Sequence, residues 1–159
     1  MKYLSTVAVA VAVLLWGNLW GGQCLAPASA ADEVTAAAGK IRVLVTYGGH
    51  GFDEKEFWAM FDAMPDVVWQ KAELPKQADL LQPGLEKKYD VLVMYDMCQK
   101  LTPEQRQAFV QLLKQGIGVV SLHHNLAAYF DWDEFRKIIG GRFILRSCQI
   151  EGKAYKQSP

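Results

Sequence analysis

The sequence predicts an α/β domain built on a mostly parallel sheet layered between helices, and three observations predict it. Short β-branched or continuously apolar runs recur at residues 41–46, 91–95 and 117–122. Helix-sized segments with apolar residues at helical spacing lie between them. The later two runs do not alternate with polar residues, the pattern of strands covered by helices on both faces. Strands separated in this way imply right-handed βαβ crossovers, a parallel sheet and a three-layer arrangement.

The first thirty residues are of another kind. Lys2 is their one charge, an apolar stretch covers residues 7–16, and Ala28-Ser29-Ala30 closes the segment. This is the order of a secretory signal peptide cleaved after Ala30. The apolar stretch is shorter than the roughly 20 residues that span a bilayer, so no stable membrane span is expected after its removal. A lipid-anchored Cys24 is the weaker alternative, because Gln23 stands where a small residue belongs. Residues 31–40, rich in alanine, read as a flexible leader, and residues 41–159 as the domain. The expected location is periplasmic or extracellular.

Within the domain, Ile41-Arg42-Val43-Leu44-Val45-Thr46 is a strand stopped by Tyr47-Gly48-Gly49-His50-Gly51. Asp53 and Glu56 then form an N-cap pair, and Phe57, Met60, Phe61 and Met64 mark a helix that ends at Pro65. Residues 67–70 are a candidate second strand, and residues 78–88 a weak helix or turn broken by Pro83-Gly84. The apolar strand 91–95 is followed by the loop Asp96-Met97-Cys98-Gln99-Lys100. Thr102-Pro103-Glu104-Gln105 supplies an N-cap, a proline at the first helical position and a capping-box partner for a helix that Gly116 stops. The strand at 117–122 ends in His123-His124-Asn125. Trp132, Phe135, Ile138 and Ile139 share a helical face before Gly140-Gly141, and residues 143–145 are a candidate last strand.

Composition narrows the function classes. The 159 residues are 51% hydrophobic and 21% charged, those of an ordinary folded domain. With 17 acidic residues and, once Lys2 is removed, one fewer basic, the mature chain is near neutral. It has no basic stripe to track a phosphate backbone, so nucleic acid is not an expected partner. Cys98 and Cys148 would meet an oxidising compartment, but two cysteines do not define a pairing.

In an open parallel sheet the loops after the strands' carboxyl ends share one edge, where ligands bind. All three histidines fall in two such loops: His50 after the first strand, His123 and His124 after the last clear one. Asp53, Asp96 and Asn125 are expected on or beside that edge. Gly48 and Gly49 read either as a tight turn beside an exposed His50 or as a loop that lets a ligand approach backbone N–H groups beside a helix N-terminus. His123 and His124 can converge on one ligand only if the chain turns sharply, since neighbours in an extended strand point to opposite faces. Imidazoles suit acid/base work or metal ligation, the latter needing His50 with one of the pair and a carboxylate such as Asp53 or Asp96. The spacing matches no local metal motif and no full phosphate-loop pattern, and the residues identify no cofactor. Cys98 lacks a flanking base and reads as a packing residue. Trp58, Trp69 and Trp132 read as core or rim aromatics, with Trp132 close enough to the histidine loop to serve as a sugar-stacking platform.

Several segments in order resemble the ThuA-like family, named for trehalose utilisation, of the class I glutamine amidotransferase-like superfamily. They are Val45-Thr46-Tyr47-Gly48-Gly49-His50, Tyr89-Asp90 through Asp96-Met97, Leu101-Thr102-Pro103-Glu104-Gln105, Gly118-Val119-Val120-Ser121-Leu122-His123-His124, and Trp132 through Gly140-Gly141-Arg142-Phe143. The resemblance implies a flavodoxin-like fold and a role in carbohydrate metabolism, without a settled reaction. The superfamily's amidotransferases place a cysteine at the sharp turn where His123 stands here, so glutamine hydrolysis through a thiolate is not expected. The family's domain is longer than residues 41–159, which implies a C-terminally truncated copy and further strands beyond them.

The leading expectation is an exported protein that acts on or binds a small-molecule carbohydrate. His123 and His124 are the catalytic candidates, and Gly48, Gly49, His50, Asp96, Asn125 and Trp132 the substrate-binding ones. A non-catalytic sugar-binding or inactive truncated domain is the alternative, and a metal-dependent hydrolase the third.

Overall fold

A computed structural model describes residues 39–159. The expected signal peptide, and all of the leader but Gly39 and Lys40, lie outside the described residues. Six strands and three helices follow one another as β1 (Ile41–Tyr47), α1 (Glu54–Asp62), β2 (Val67–Glu73), β3 (Val91–Met94), α2 (Pro103–Lys114), β4 (Gly118–Ser121), α3 (Asp133–Ile139), β5 (Cys148–Ile150) and β6 (Lys153–Tyr155). Single 3-10 turns lie at Ala78–Leu80, Leu85–Lys87 and His123–Ala127. Strands β1 to β4 form one parallel sheet in the order β2-β1-β3-β4. No described helix is long and apolar enough to cross a membrane.

The caps form as their residues dictate. Asp53 accepts from the Glu56 N–H at 3.3 Å, starting α1. At α2, Thr102 accepts from the Gln105 N–H at 3.2 Å while the Gln105 side chain accepts from the Thr102 N–H at 2.9 Å, with Pro103 in the first turn. Gly140, at φ 79°, ends α3 in the left-handed conformation that glycine adopts without cost.

Side-chain alternation along the strands sorts the core into two layers. Leu44, Leu92 and Met94 face Phe109 and Leu112 of α2 and Phe135 of α3. Val43, Val45 and Val93 face Phe57 and Phe61 of α1, with Trp58 and Trp69 beside them. Helices therefore cover the sheet on both sides, which is why the centre of β1, Val43-Leu44-Val45, and all of β3 are apolar. Strand β4 lies at one edge, and its Val120, in register with Val93, is 45% exposed.

Two expected strands differ from those observed. The second does not stop at Gln70: pairing with β1 continues through Lys71↔Val45, Ala72↔Thr46 and Glu73↔Tyr47. An edge strand tolerates exposed Gln70 and Lys71, so its polar half masks it in sequence. Residues 143–145 are not a strand. The Phe143 N–H goes to the Leu126 carbonyl, while Ile144 exchanges bonds with Ser158. The chain's last strands are β5 and β6, an antiparallel hairpin turned at Glu151 and Gly152, whose φ values of 51° and 78° suit a two-residue hairpin loop.

Candidate functional site

Helix α1 leaves β1 toward one face of the sheet, and α2 leaves β3 toward the other. Because β1 and β3 are neighbours whose following helices go to opposite faces, their carboxyl ends are the switch point at which a sheet of this kind places its crevice. The β4 loop adjoins it.

Gly48 and Gly49 owe their identity first to crowding from neighbouring backbone. Both have positive φ, +124° and +79°. A Cβ on Gly48 would overlap the Leu74 carbonyl, and one on Gly49 would lie 2.9 Å from the Met97 carbonyl carbon and oxygen. Backbone bonds lock the same approach: Leu74 N–H to Tyr47 O and Met97 N–H to Gly48 O, each 2.8 Å. This close packing delivers His50 to the crevice. His50 Nε2 donates to the Tyr95 carbonyl at 2.6 Å, which puts a proton on that nitrogen, while Nδ1 lies 3.2 Å from the Gly51 carbonyl.

After β4 the chain turns at once into the 3-10 segment His123–Ala127, so that adjacent His123 and His124 face the same crevice. His124 stacks on His50 with ring centroids 3.8 Å apart and planes 14° from parallel. His123 lies 4.1 Å from His124. All three rings pack against Tyr95, at 4.7, 5.6 and 5.1 Å for His50, His123 and His124. His123 is exposed; His50 and His124 are half-buried.

Burial pushes the His124 imidazole below its ordinary pKa, and His50 and His123 beside it push the same way. His124 Nδ1 is buried without a hydrogen-bond partner. The cluster thus holds a neutral imidazole at neutral pH beside a solvent-facing one, able to give and take hydrogen bonds with hydroxyl groups.

The other sequence candidates divide. Asp96 and Asn125 do not reach the rim: both are fully buried beneath it, where Asn125 Nδ2 donates to the Asp96 carbonyl at 3.2 Å. Burial raises the pKa of the Asp96 carboxyl against the opposing effect of bonds from Thr46 and Tyr129. Trp132 is a correction. It is 6% exposed, packed with Phe109, Tyr129 and Phe135, and has no free ring face for a sugar. Asp53 is spent on its cap. Cys98 is buried, its Sγ donates to the Lys100 carbonyl at 3.4 Å, and burial raises its pKa, the character of a packing thiol. Cys98 and Cys148 are both free.

Sequence reasoning passed over Tyr95 and Phe52. Tyr95 reads as the last apolar residue of a strand, yet its ring is the floor under the histidines. Phe52, half-buried, sits 5.5 Å from His50 and 5.3 Å from Tyr95. An aromatic next to the histidine in the same loop was the available signal.

Among the described residues no three His, Cys, Asp or Glu side chains are arranged to hold a metal ion. No protein-family model, curated protein or solved structure matches this chain.

Proposed function

We propose that this chain is an exported ThuA-like domain, flavodoxin-like in fold, that binds or acts on a sugar or sugar derivative at the carboxyl edge of its sheet. One observation carries the reading: residues 73 positions apart in sequence, His50 and His123, join His124 in one imidazole cluster over the switch point. The strand order β2-β1-β3-β4 accords with a flavodoxin-like sheet, in which ligands occupy that crevice. Imidazoles match the alternating donor and acceptor character of sugar hydroxyls, and Phe52 offers the aromatic surface that Trp132 does not. His123, the exposed ring, exchanges the proton; His124 and His50 hold the ligand.

The test is a panel of trehalose, glucosides and their oxidised derivatives against the full chain, assayed for binding by calorimetry and for turnover by product analysis. His123→Ala and His50→Ala should abolish the response while circular dichroism stays that of the wild type. Unchanged binding and turnover in both variants would reject the site.

A non-catalytic sugar-binding domain is the second reading, and one observation favours it. Among the described residues none of the three imidazoles is hydrogen-bonded to a carboxylate, the usual means of orienting a catalytic histidine. Saturable binding without any product in the same panel would decide for it.

A further inference from the structure

Beneath the histidines lies a network of mutually bonded polar groups, in which Thr46, Asp96, Asn125 and Tyr129 are fully buried and Ser121 half-buried. Asp96 Oδ1 accepts from the Thr46 hydroxyl at 2.7 Å, and Oδ2 accepts from the Tyr129 hydroxyl at 3.0 Å and the Cys98 N–H at 3.4 Å. Asn125 Nδ2 donates to the Asp96 carbonyl at 3.2 Å and to the Asp96 side chain, at Oδ1, at 3.5 Å, and its own Oδ1 accepts from the Ser121 hydroxyl at 2.9 Å. Ser121 and Asn125 are the residues that bracket Leu122, His123 and His124. The hydrogen bond between them closes the turn that carries the histidine pair, and the bond from Asn125 to Asp96 fastens that turn to the end of β3. His50 is fastened to the same place, through the carbonyl of Tyr95 next in the chain. Both arms of the cluster therefore hang from residues 95 and 96.

A second, independent observation concerns Tyr129. It is fully buried at φ 47°, a left-handed conformation that residues with a Cβ rarely adopt. The same residue's hydroxyl donates to Asp96 Oδ2 at 3.0 Å. Strain of this kind persists where the surroundings over-determine it, commonly beside functional sites.

We propose that Asp96 and Asn125 are positioning residues, which hold the His123–His124 turn so that His124 stacks on His50, and that neither touches the ligand. The inference rests on the reading of the histidine cluster as the functional site, but its test needs no ligand.

The measurement is the NMR titration of the three imidazoles in the full chain. His124 faces His50, His123 and Tyr95; burial in that position lowers its pKa, and His50 and His123 beside it push the same way, so a turn that released it would undo all three effects. In Asn125→Ala and in Asp96→Ala, His124 should titrate closer to an ordinary imidazole and lose its ring-to-ring contacts with His50. Asp96→Asn, which keeps the shape and an acceptor oxygen, should retain most of the wild-type titration. Ser121→Ala, at a half-buried position, removes one bond of the network and should give an intermediate shift if the Asp96→Ala protein does not fold. His124 unchanged in Asn125→Ala and Ser121→Ala, with the sheet intact, overturns the proposal. If the titration moves as expected but no sugar binds, the positioning role stands and the proposed ligand fails; sugar binding with an unmoved His124 has the opposite meaning.

Discussion

Replacing Gly49 by alanine separates two explanations of the glycine loop, packing and ligand approach. The added methyl meets two costs. Gly49 has φ +79°, and a left-handed conformation costs a residue with a Cβ roughly 1–2 kcal/mol. The new Cβ also falls 2.9 Å from the Met97 carbonyl carbon and oxygen, which belong to backbone and must move with the whole β3 loop. Overpacking of that kind costs about 1–3 kcal/mol. The sum is a destabilisation of about 2–5 kcal/mol. Gly51 is the control: its φ is not positive and a Cβ there has nothing within 4 Å, so Gly51→Ala should be neutral or stabilising by up to about 1 kcal/mol through the unfolded chain. Urea denaturation of both variants at one pH measures the difference. A Gly49→Ala protein within about 0.5 kcal/mol of the wild type would refute the packing account. If that protein had also lost sugar binding, the ligand-approach reading would take its place.

Two further perturbations probe the core and the pH dependence. Trp132→Ala removes a buried aromatic packed on Phe109 and Phe135 and should cost about 3–5 kcal/mol, with sugar affinity of the folded protein unchanged; lost affinity at undiminished stability would restore Trp132 to the site. Asp90 and Asp96 should act in opposite directions. Bonds from Arg42 lower the Asp90 carboxyl to about 2, so its contribution is present above the ordinary carboxylate range and is lost as pH falls toward that value. The pair is more than a third exposed, which keeps the effect small. Burial raises Asp96, so its contribution is complete below the ordinary carboxylate range and is lost as pH rises through the elevated value. Denaturation curves across pH should therefore flatten on the acid side in Asp90→Asn and on the side toward neutrality in Asp96→Asn; wild-type pH dependence in both would contradict the assignments.

Those aspartates also mark where the sequence was legible. The centres of β1 and β3 announce themselves because a sheet covered on both faces needs apolar residues there, β4 because its Val119-Val120 pair follows the helix stop at Gly116, and α2 because a capping box and a proline are local signals that local chemistry satisfies. The meeting of His50 with His123 and His124 was legible for a topological reason: parallel strands deliver their following loops to one edge, whatever lies between them in the chain. Strand β2 was half hidden, because an edge strand needs apolar residues only where a helix covers it, and the hairpin β5–β6 was hidden because three-residue strands with exposed faces carry almost no periodic signal.

What a strand end cannot reveal in sequence is depth. Asp96 and Asn125 adjoin the edge, and proximity alone assigns each a share in the site, while Tyr95 beside them reads as the end of a strand. Depth is decided by the turn geometry that follows the strand. The 3-10 turn after β4 sends His123 and His124 toward solvent and rotates Asn125 inward, where its amide finds the Asp96 carbonyl and the Ser121 hydroxyl. Asp96 is likewise buried because Thr46, Tyr129 and Cys98 all offer it donors from beneath the rim. A buried polar group must find such partners or cost its desolvation energy, so the same residues that look like ligand contacts in one dimension become, in three, the framework that leaves the imidazoles free to face the crevice.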